Sequence, residues 1–419
     1  MRVSLAVVTC AALLVAVYQS AASKPTTRVV RWYAPFLADS GFGSEATQFI
    51  EALDSQRHFA SLPTVLEAVQ FAEPAVFEPE SPTLRNAMLR RYRGHACLIA
   101  ICHSTPNFWV PSEFPSWDRV APCPPREATI KIGRAMYETD SLPKSWIARL
   151  NKMDEIWVPT RFARDVFLRS GIASEKLVVV PEPVDVHFYS QARCRVQKSA
   201  QVFVYLAVFK WEERKGWKEL FRAFLEEFRP KDPVQLLIKT TVFHLPPGST
   251  PRSLAEAAFP EIRSRGPQIR FTSDRISEEE LLQKFFCMAD ALLAPSYGEG
   301  WGRVPAEAAS MGLPVLFTNY SGPTEFLSHM NAFPIEVESM VRANDEGHMW
   351  AKPSVSHLRQ GMRKVYEDRA AVAAIGEAAR KTMVDKYSNQ VIGKYLWEVL
   401  GYKCSDTSTK SSRTSSEEL

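Results

Sequence analysis

The chain has 419 residues, 46% of them hydrophobic and 23% charged, with 51 basic against 47 acidic side chains. That length is too great for one small domain and suits two of about 150–200 residues each. A near-neutral balance without basic tracts speaks against a nucleic-acid partner and against a strong steering field.

The N-terminus, "MRVSLAVVTCAALLVAVYQSAASKP", has one early arginine, an apolar run from Val3 to Tyr18, and small residues at Ala21 and Ser23. This is the layout of a cleavable secretory signal, expected over residues 1–23. The run is short of the about 20 apolar residues that span a bilayer, so a retained anchor is the rival and no stable span is expected.

From Arg28 the chain alternates short apolar runs with helical patterns, which predicts parallel sheets wrapped by helices. "RVVRWYAP" reads as a strand and "GFGSEATQFIEAL" as a glycine turn leading into a helix. "HACLIAICHS", "ATIKIGRAMYETD", "EIWVPT" and "KLVVVPEPVD" read as further strands, with helices at "WIARLNKM" and "RFARDVFLRSG". Together they make a first Rossmann-like domain over 24–187. Residues 186–199 are polar and aperiodic and read as an interdomain linker.

The alternation restarts at "AQVFVYLAVF". In "WKELFRAFLEEF" positions 217, 220, 221, 224, 225 and 228 form one apolar helical face. Strands "VQLLIKT", "QIRFTS", "ALLAPS" and "PVLFTN" follow with intervening helices, giving a second Rossmann-like domain over 198–385. Two or three helices close the chain. The expected fold is α/β, two such domains facing a cleft, with ligands beyond the carboxyl ends of the strands.

Residues 405–418 contain only Ser, Thr, Lys, Arg, Asp and Glu and cannot bury a core. The final Ser-Glu-Glu-Leu (416–419) is similar to retrieval signals of the endoplasmic reticulum, so a lumenal protein is expected. Cys10 would leave with the signal; the other six cysteines are scattered without a C-x-x-C, which points to neither zinc nor a redox pair. A protein of this size does not need disulfides. Cys287 reads as a small buried hydrophobe.

The chemistry concentrates in "SYGEGWGRVPAEAASMGLPV" (296–315), with Glu299 on a glycine-rich loop and Glu307 one turn into a helix. The helix N-terminus, with free N–H groups and partial positive charge, suits a phosphate. The two carboxylates would accept hydrogen bonds from hydroxyls on either side of it. In "FKWEERKGWKELFRAF", Lys210 ends a strand and Lys215 opens a helix, and two such cations neutralise a diphosphate without a metal. No D-x-D pair or histidine cluster for a divalent ion is evident, so neither metal nor cofactor is expected.

These segments resemble the retaining GT-B glycosyltransferases of family 4, or group 1. Their E-x(7)-E motif stands here as "PSYGEGWGRVPAEAASMGLPV", and their basic residue five before Lys-Gly stands as Lys210 before Lys215-Gly216. The resemblance is specific over about 198–330 and looser over 28–190. It implies that Glu299 contacts the transferred sugar, Glu307 the ribose, and Lys210 and Lys215 the diphosphate. Gly300, Trp301 and Gly302 would line the sugar, with Gly41 and Gly43 beneath the donor. It also implies that a last helix, 386–403, crosses back onto the first domain, ahead of a tail at 404–419.

His103, ending "CLIAICHS", is the first-domain active-site candidate, with a structural hydrogen bond as the alternative. Glu138 and Asp140 in "YETD" stand where many relatives carry a histidine, so acceptor contacts there do not carry over. The expected reaction moves a sugar from a nucleotide-diphospho-sugar to a hydroxyl of a protein or glycan, with retained configuration.

Two rivals are open. "GFGSEA" also fits a dinucleotide fingerprint, but an NAD-dependent oxidoreductase would want an acidic residue near 60–65 closing the second strand. A non-catalytic sugar-nucleotide or glycan binder would need no complete set of glutamates and lysines. Asn319-Tyr320-Ser321 is an N-glycosylation sequon, expected to be poorly accessible directly after a buried strand.

Overall fold

The computed structural model describes residues 27–404 apart from 39, 93–96, 117–120, 197, 199–200, 243–244 and 402. The expected signal segment and the 405–419 tail lie outside the described residues. Two six-stranded sheets, parallel throughout, organise the chain. The first joins β1 (Arg28–Ala34), β2 (Thr64–Gln70), β3 (Cys97–His103), β4 (Ile130–Arg134), β5 (Glu155–Val158) and β6 (Leu177–Val179) in the order β2-β1-β3-β4-β5-β6.

The second sheet contains β7 (Phe203–Lys210), β8 (Val234–Thr241), β9 (Ile269–Thr272), β10 (Ala291–Ala294), β11 (Val315–Thr318) and β12 (Phe333–Ile335), ordered β12-β11-β10-β7-β8-β9. Both orders turn back on themselves beside the first strand, at β1/β3 and at β7/β10. Those are the switch points where crevices open beyond the strand ends. Lys210 closes β7, and the motif loop follows β10.

The central strands are buried on both faces, as parallel strands covered by helices must be. The helix Trp217–Glu227 buries Trp217, Leu220, Phe221 and Phe224, the face that its periodicity marks out. β2 escaped the sequence reading because Pro63 stands directly before it and a buried glutamate interrupts its apolar run: Glu67 accepts from Arg31 Nε at 2.6 Å. Also unforeseen is an antiparallel hairpin, β13 (Val337–Arg342) with β14 (Met349–Pro353). β13 is largely exposed, β14 is half-buried to buried, and neither carries an apolar stripe long enough to announce it.

The closing helix, Asn389–Gly401, lies against the first domain's helix Gly41–Ser55. Trp397 Nε1 donates to Leu53 O at 2.9 Å, and Arg28 binds Leu400 O. At Gly393 a methyl group would stand 2.2 Å from Ala52 O, so only glycine permits this approach. One apolar cluster therefore runs from Trp32 and Leu53 through Leu396 to Trp301, joining both domains.

The expected linker is not a loose tether. Val186 and Tyr189 are buried, Ser310 Oγ donates to Tyr189 O at 2.9 Å, and Cys194 is bonded to Cys287. Cys287 is thus buried as half of a disulfide rather than as a thiol. Cys97–Cys404 and Cys102–Cys123 complete three bridges, which an odd scatter of cysteines does not reveal. Among the described residues no helix is long and apolar enough to cross a membrane.

Candidate active site

A cleft of about 1380 Å³ lies between the domains, lined by residues of both. Its cationic end is built by three neighbouring elements. β7 delivers Lys210, a short turn Glu213–Lys215 delivers Arg214 and Lys215, and β8 contributes Lys239. The turn closes on Gly216 at φ 66°, where an added methyl group would stand 2.0 Å from Pro295 O. A side chain at 216 would therefore push the lysine turn away from the motif strand.

Glu299 hangs between these cations. Lys215 Nζ donates to Oε1 at 2.6 Å and Ser296 Oγ to the same oxygen at 2.7 Å, while Arg214 Nη1 donates to Oε2 at 2.9 Å. Burial opposes its ionisation, but Lys215 and Arg214 outweigh that and hold the carboxyl at about 2. Glu299 is therefore a carboxylate at any physiological pH and no proton donor. Its Oε1 is saturated, and Oε2 has one acceptor position left. The Lys215 ammonium, buried and beside Arg214, has its pKa lowered despite Glu299.

Arg214 was missed by the sequence reading. Preceded by Glu212 and Glu213 and followed by Lys215, it reads as one more surface charge, and no spacing marks it. In the structure it also donates to Gly298 O at 2.6 Å and to Glu212 at 2.8 Å, and it pairs with Glu138 of the first domain at 3.1 Å.

Glu307 sits in the helix Arg303–Ser310, buried beside the cleft. Burial, with Glu278 nearby, raises its carboxyl to about 7 against the pull of Arg303, whose Nη2 stands 3.4 Å away. Arg303 also reaches Glu182 at 3.4 Å, and burial lifts that carboxyl well above the usual range. Gly300 and Gly302 line the cleft with Trp301, whose ring is 1% exposed and packs on Phe326 at 4.7 Å. Trp301 thus anchors the loop to the core, although its indole N–H has no protein partner.

The structure gathers Lys210, Lys215, Glu299, Glu307, Gly300, Trp301 and Gly302 on one cleft, but not His103 or Gly43. His103 is 0% exposed. Its Nδ1 accepts from Trp32 Nε1 at 3.1 Å, which leaves the proton on Nε2, 3.1 Å from Glu45 Oε2. Burial lowers its pKa further, so it is a neutral ring in a structural network. That network includes Arg134, which clamps Glu45 at 2.6 and 2.8 Å. The hydrogen-bond alternative therefore describes His103. Gly43 is inside the first turn of its helix, where a methyl group would meet Pro35 O at 2.4 Å; it permits packing against the β1 loop, while Gly41 lines the cleft.

The acidic residue that a dinucleotide site requires is absent from the end of β2. Gln70 closes that strand, accepting from Leu37 N at 2.9 Å and donating to Glu73 O at 2.7 Å. Asn319 is exposed, contrary to expectation, because β11 ends one residue earlier; Ser321 of the same sequon is buried with its hydroxyl 2.9 Å from Glu299 N.

Residues 200–368 match the family model described as Glycosyl transferases group 1. Among curated proteins none matches the chain significantly in sequence. Solved structures similar to it include sucrose-phosphate synthase from Thermosynechococcus elongatus, 15% identical with a TM-score of 0.62 over 89% of this chain and 98% of that one. A glycosyltransferase from Rickettsia africae is 14% identical with a TM-score of 0.60 over 90% and 98%. The Anabaena protein HepE, in complex with UDP and glucose, is 15% identical with a TM-score of 0.59 over 89% and 99%. Residues 200–368 are thus similar to the group 1 glycosyltransferases, and the chain as a whole has the two-domain GT-B fold of these structures.

Proposed function

We propose that the protein transfers a sugar from a nucleotide-diphospho-sugar to a hydroxyl of a protein or glycan, with retained configuration and without a metal, in the lumen of the endoplasmic reticulum. The observation that carries the reading is the cation set at the end of β7, with the motif carboxylate held ionised inside it. Lys210 and Lys215, with the N-terminus of Arg303–Ser310, supply counter-charge to a departing diphosphate. The remaining acceptor position on Glu299 takes one sugar hydroxyl, and Glu307 faces the ribose.

In the step itself the donor's anomeric C–O bond breaks and its electron pair passes to the diphosphate. The acceptor oxygen bonds the anomeric carbon on the same face, and its proton goes to the departing phosphate oxygen. The ionised state of Glu299, with Oε1 saturated, suits orientation and charge stabilisation rather than proton transfer. The three disulfides support an oxidising compartment, in agreement with the signal-like N-terminus and the retrieval-like end. A tagged chain found at the cell surface or in the medium would overturn the lumenal assignment.

The test is a thermal-shift titration of the protein with UDP, GDP, ADP and NAD, each with and without EDTA. One nucleoside diphosphate is expected to stabilise it by about 2.7 kcal/mol at a hundredfold excess over Kd, with EDTA making no difference. Lys210→Ala is expected to lose that shift. A response to NAD alone would overturn the donor class, and one abolished by EDTA would overturn metal independence.

A further inference from the structure

The "YETD" segment of the first domain faces the donor domain's cation turn across the cleft. Glu138 Oε1 pairs with Arg214 Nε at 3.1 Å, while the other face of the same guanidinium holds Glu299 Oε2 at 2.9 Å and Gly298 O at 2.6 Å. Two residues on, Asp140 Oδ1 accepts from Met349 N at 2.9 Å, so the β13–β14 hairpin grips the same segment. Steric contact joins the same pair of loops independently of charge. At Gly298 a methyl group would stand 2.2 Å from Glu138 O, and at Gly300 2.4 Å from Met136 Sδ. These glycines let the motif loop lie directly on residues 136–138.

We propose that Arg214 is a positioning residue that couples domain closure to the orientation of the motif carboxylate: Glu138 of the first domain sets Arg214, and Arg214 sets Glu299. The inference rests on the glycosyl-transfer reading and adds a residue pair to it. A guanidinium presents its N–H groups in one rigid plane, so fixing one edge on Glu138 fixes the other edge on Glu299 and the Gly298 carbonyl. If the domains separate, Glu138 is withdrawn and Arg214 Nε loses its partner, so the guanidinium is held only by its donor-domain bonds to Glu212 at 2.8 Å, Gly298 O and Glu299. Lys215 and Ser296 keep Oε1 in place, but the partner of Oε2 is fixed from both sides only when the acceptor-side domain is seated, and an unaccompanied donor meets a less ordered site.

Two variants break the coupling by unrelated means, Glu138→Gln by charge and Gly298→Ala by pushing the 136–138 backbone away. In the full chain each is expected to keep the thermal shift given by UDP, and KM for the sugar nucleotide within about twofold. Each is expected to lose kcat by about tenfold, the scale of a small misplacement of an orienting group. Because both act through one contact, the double variant should lose no more than either single one. A kcat unchanged in either variant, losses that multiply in the double, or KM rising in step with the fall in kcat would overturn the proposal. Should the wild type turn over no sugar nucleotide, the glycosyl-transfer reading fails separately. The contact is then read from urea midpoints, where a double variant no lower than the weaker single one supports coupling and additive losses refute it.

Discussion

Replacing Glu299 by Gln removes one negative charge and leaves Lys215 and Arg214 facing each other in a largely buried site. A carboxyl held at about 2 instead of the usual 4.5 is worth about 3 kcal/mol to the folded state at neutral pH. The side chain is only 16% exposed, so solvent screening removes little of this. Because the folded pKa is depressed, the contribution is complete above pH 4.5 and is lost as pH falls through 2. Urea unfolding of wild type and Glu299→Gln at pH 7, 4 and 3 therefore has a defined expectation. The wild type should lead by about 3 kcal/mol at pH 7, and the lead should shrink steadily toward pH 2. Glu45 is also held at about 2, but it is unchanged in the variant and cancels in the difference. Transfer activity at pH 7 should fall with the lost carboxylate. A stability difference that does not depend on pH, or a variant that keeps the wild-type transfer rate, would refute the argument that Glu299 is an ionised group held for chemistry.

Glu307 has the opposite sign. Its carboxyl is raised from 4.5 to about 7, so the folded state gains from its proton below pH 4.5 and loses that gain as pH rises through 7. Glu307→Gln should therefore flatten the fall in urea midpoint between pH 5 and 8; a variant that follows the wild-type slope contradicts the placement. The Cys97–Cys404 bridge spans 307 residues and pins the end of the closing helix to β3. Cys404→Ser is expected to cost about 2–5 kcal/mol against unfolding of the first domain, measured by urea denaturation under non-reducing conditions.

Elements with strong periodicity were legible before any coordinates: the parallel strands "FVYLAVF" and "CLIAICH", the amphipathic helix from Trp217, and the glycine-framed pair Glu299 and Glu307. Their signal is local, since burial on one or both faces must be written into consecutive residues. The donor-side residues were legible for a related reason, because a strand end, a tight turn and a helix start each demand particular residue types. The GT-B arrangement came from the motif's resemblance and not from periodicity.

What the tertiary structure alone decided lies between segments distant in the chain. Arg214 acquires its role from Glu138, Gly298 and Glu299, and nothing in "EERKG" records those neighbours. His103 looks like a cleft residue at a strand end until Trp32 and Glu45 are seen to enclose both ring nitrogens. Gly300, expected to line the sugar, also makes room for Met136 of the other domain, as Gly298 does for Glu138, and Gly43, expected beneath the donor, makes room for β1's loop. Local sequence dictates backbone conformation and one-dimensional burial. Which charges pair, and hence which carboxylate stays ionised at about 2 and which rises to about 7, depends on desolvation and neighbours that only the folded chain brings together.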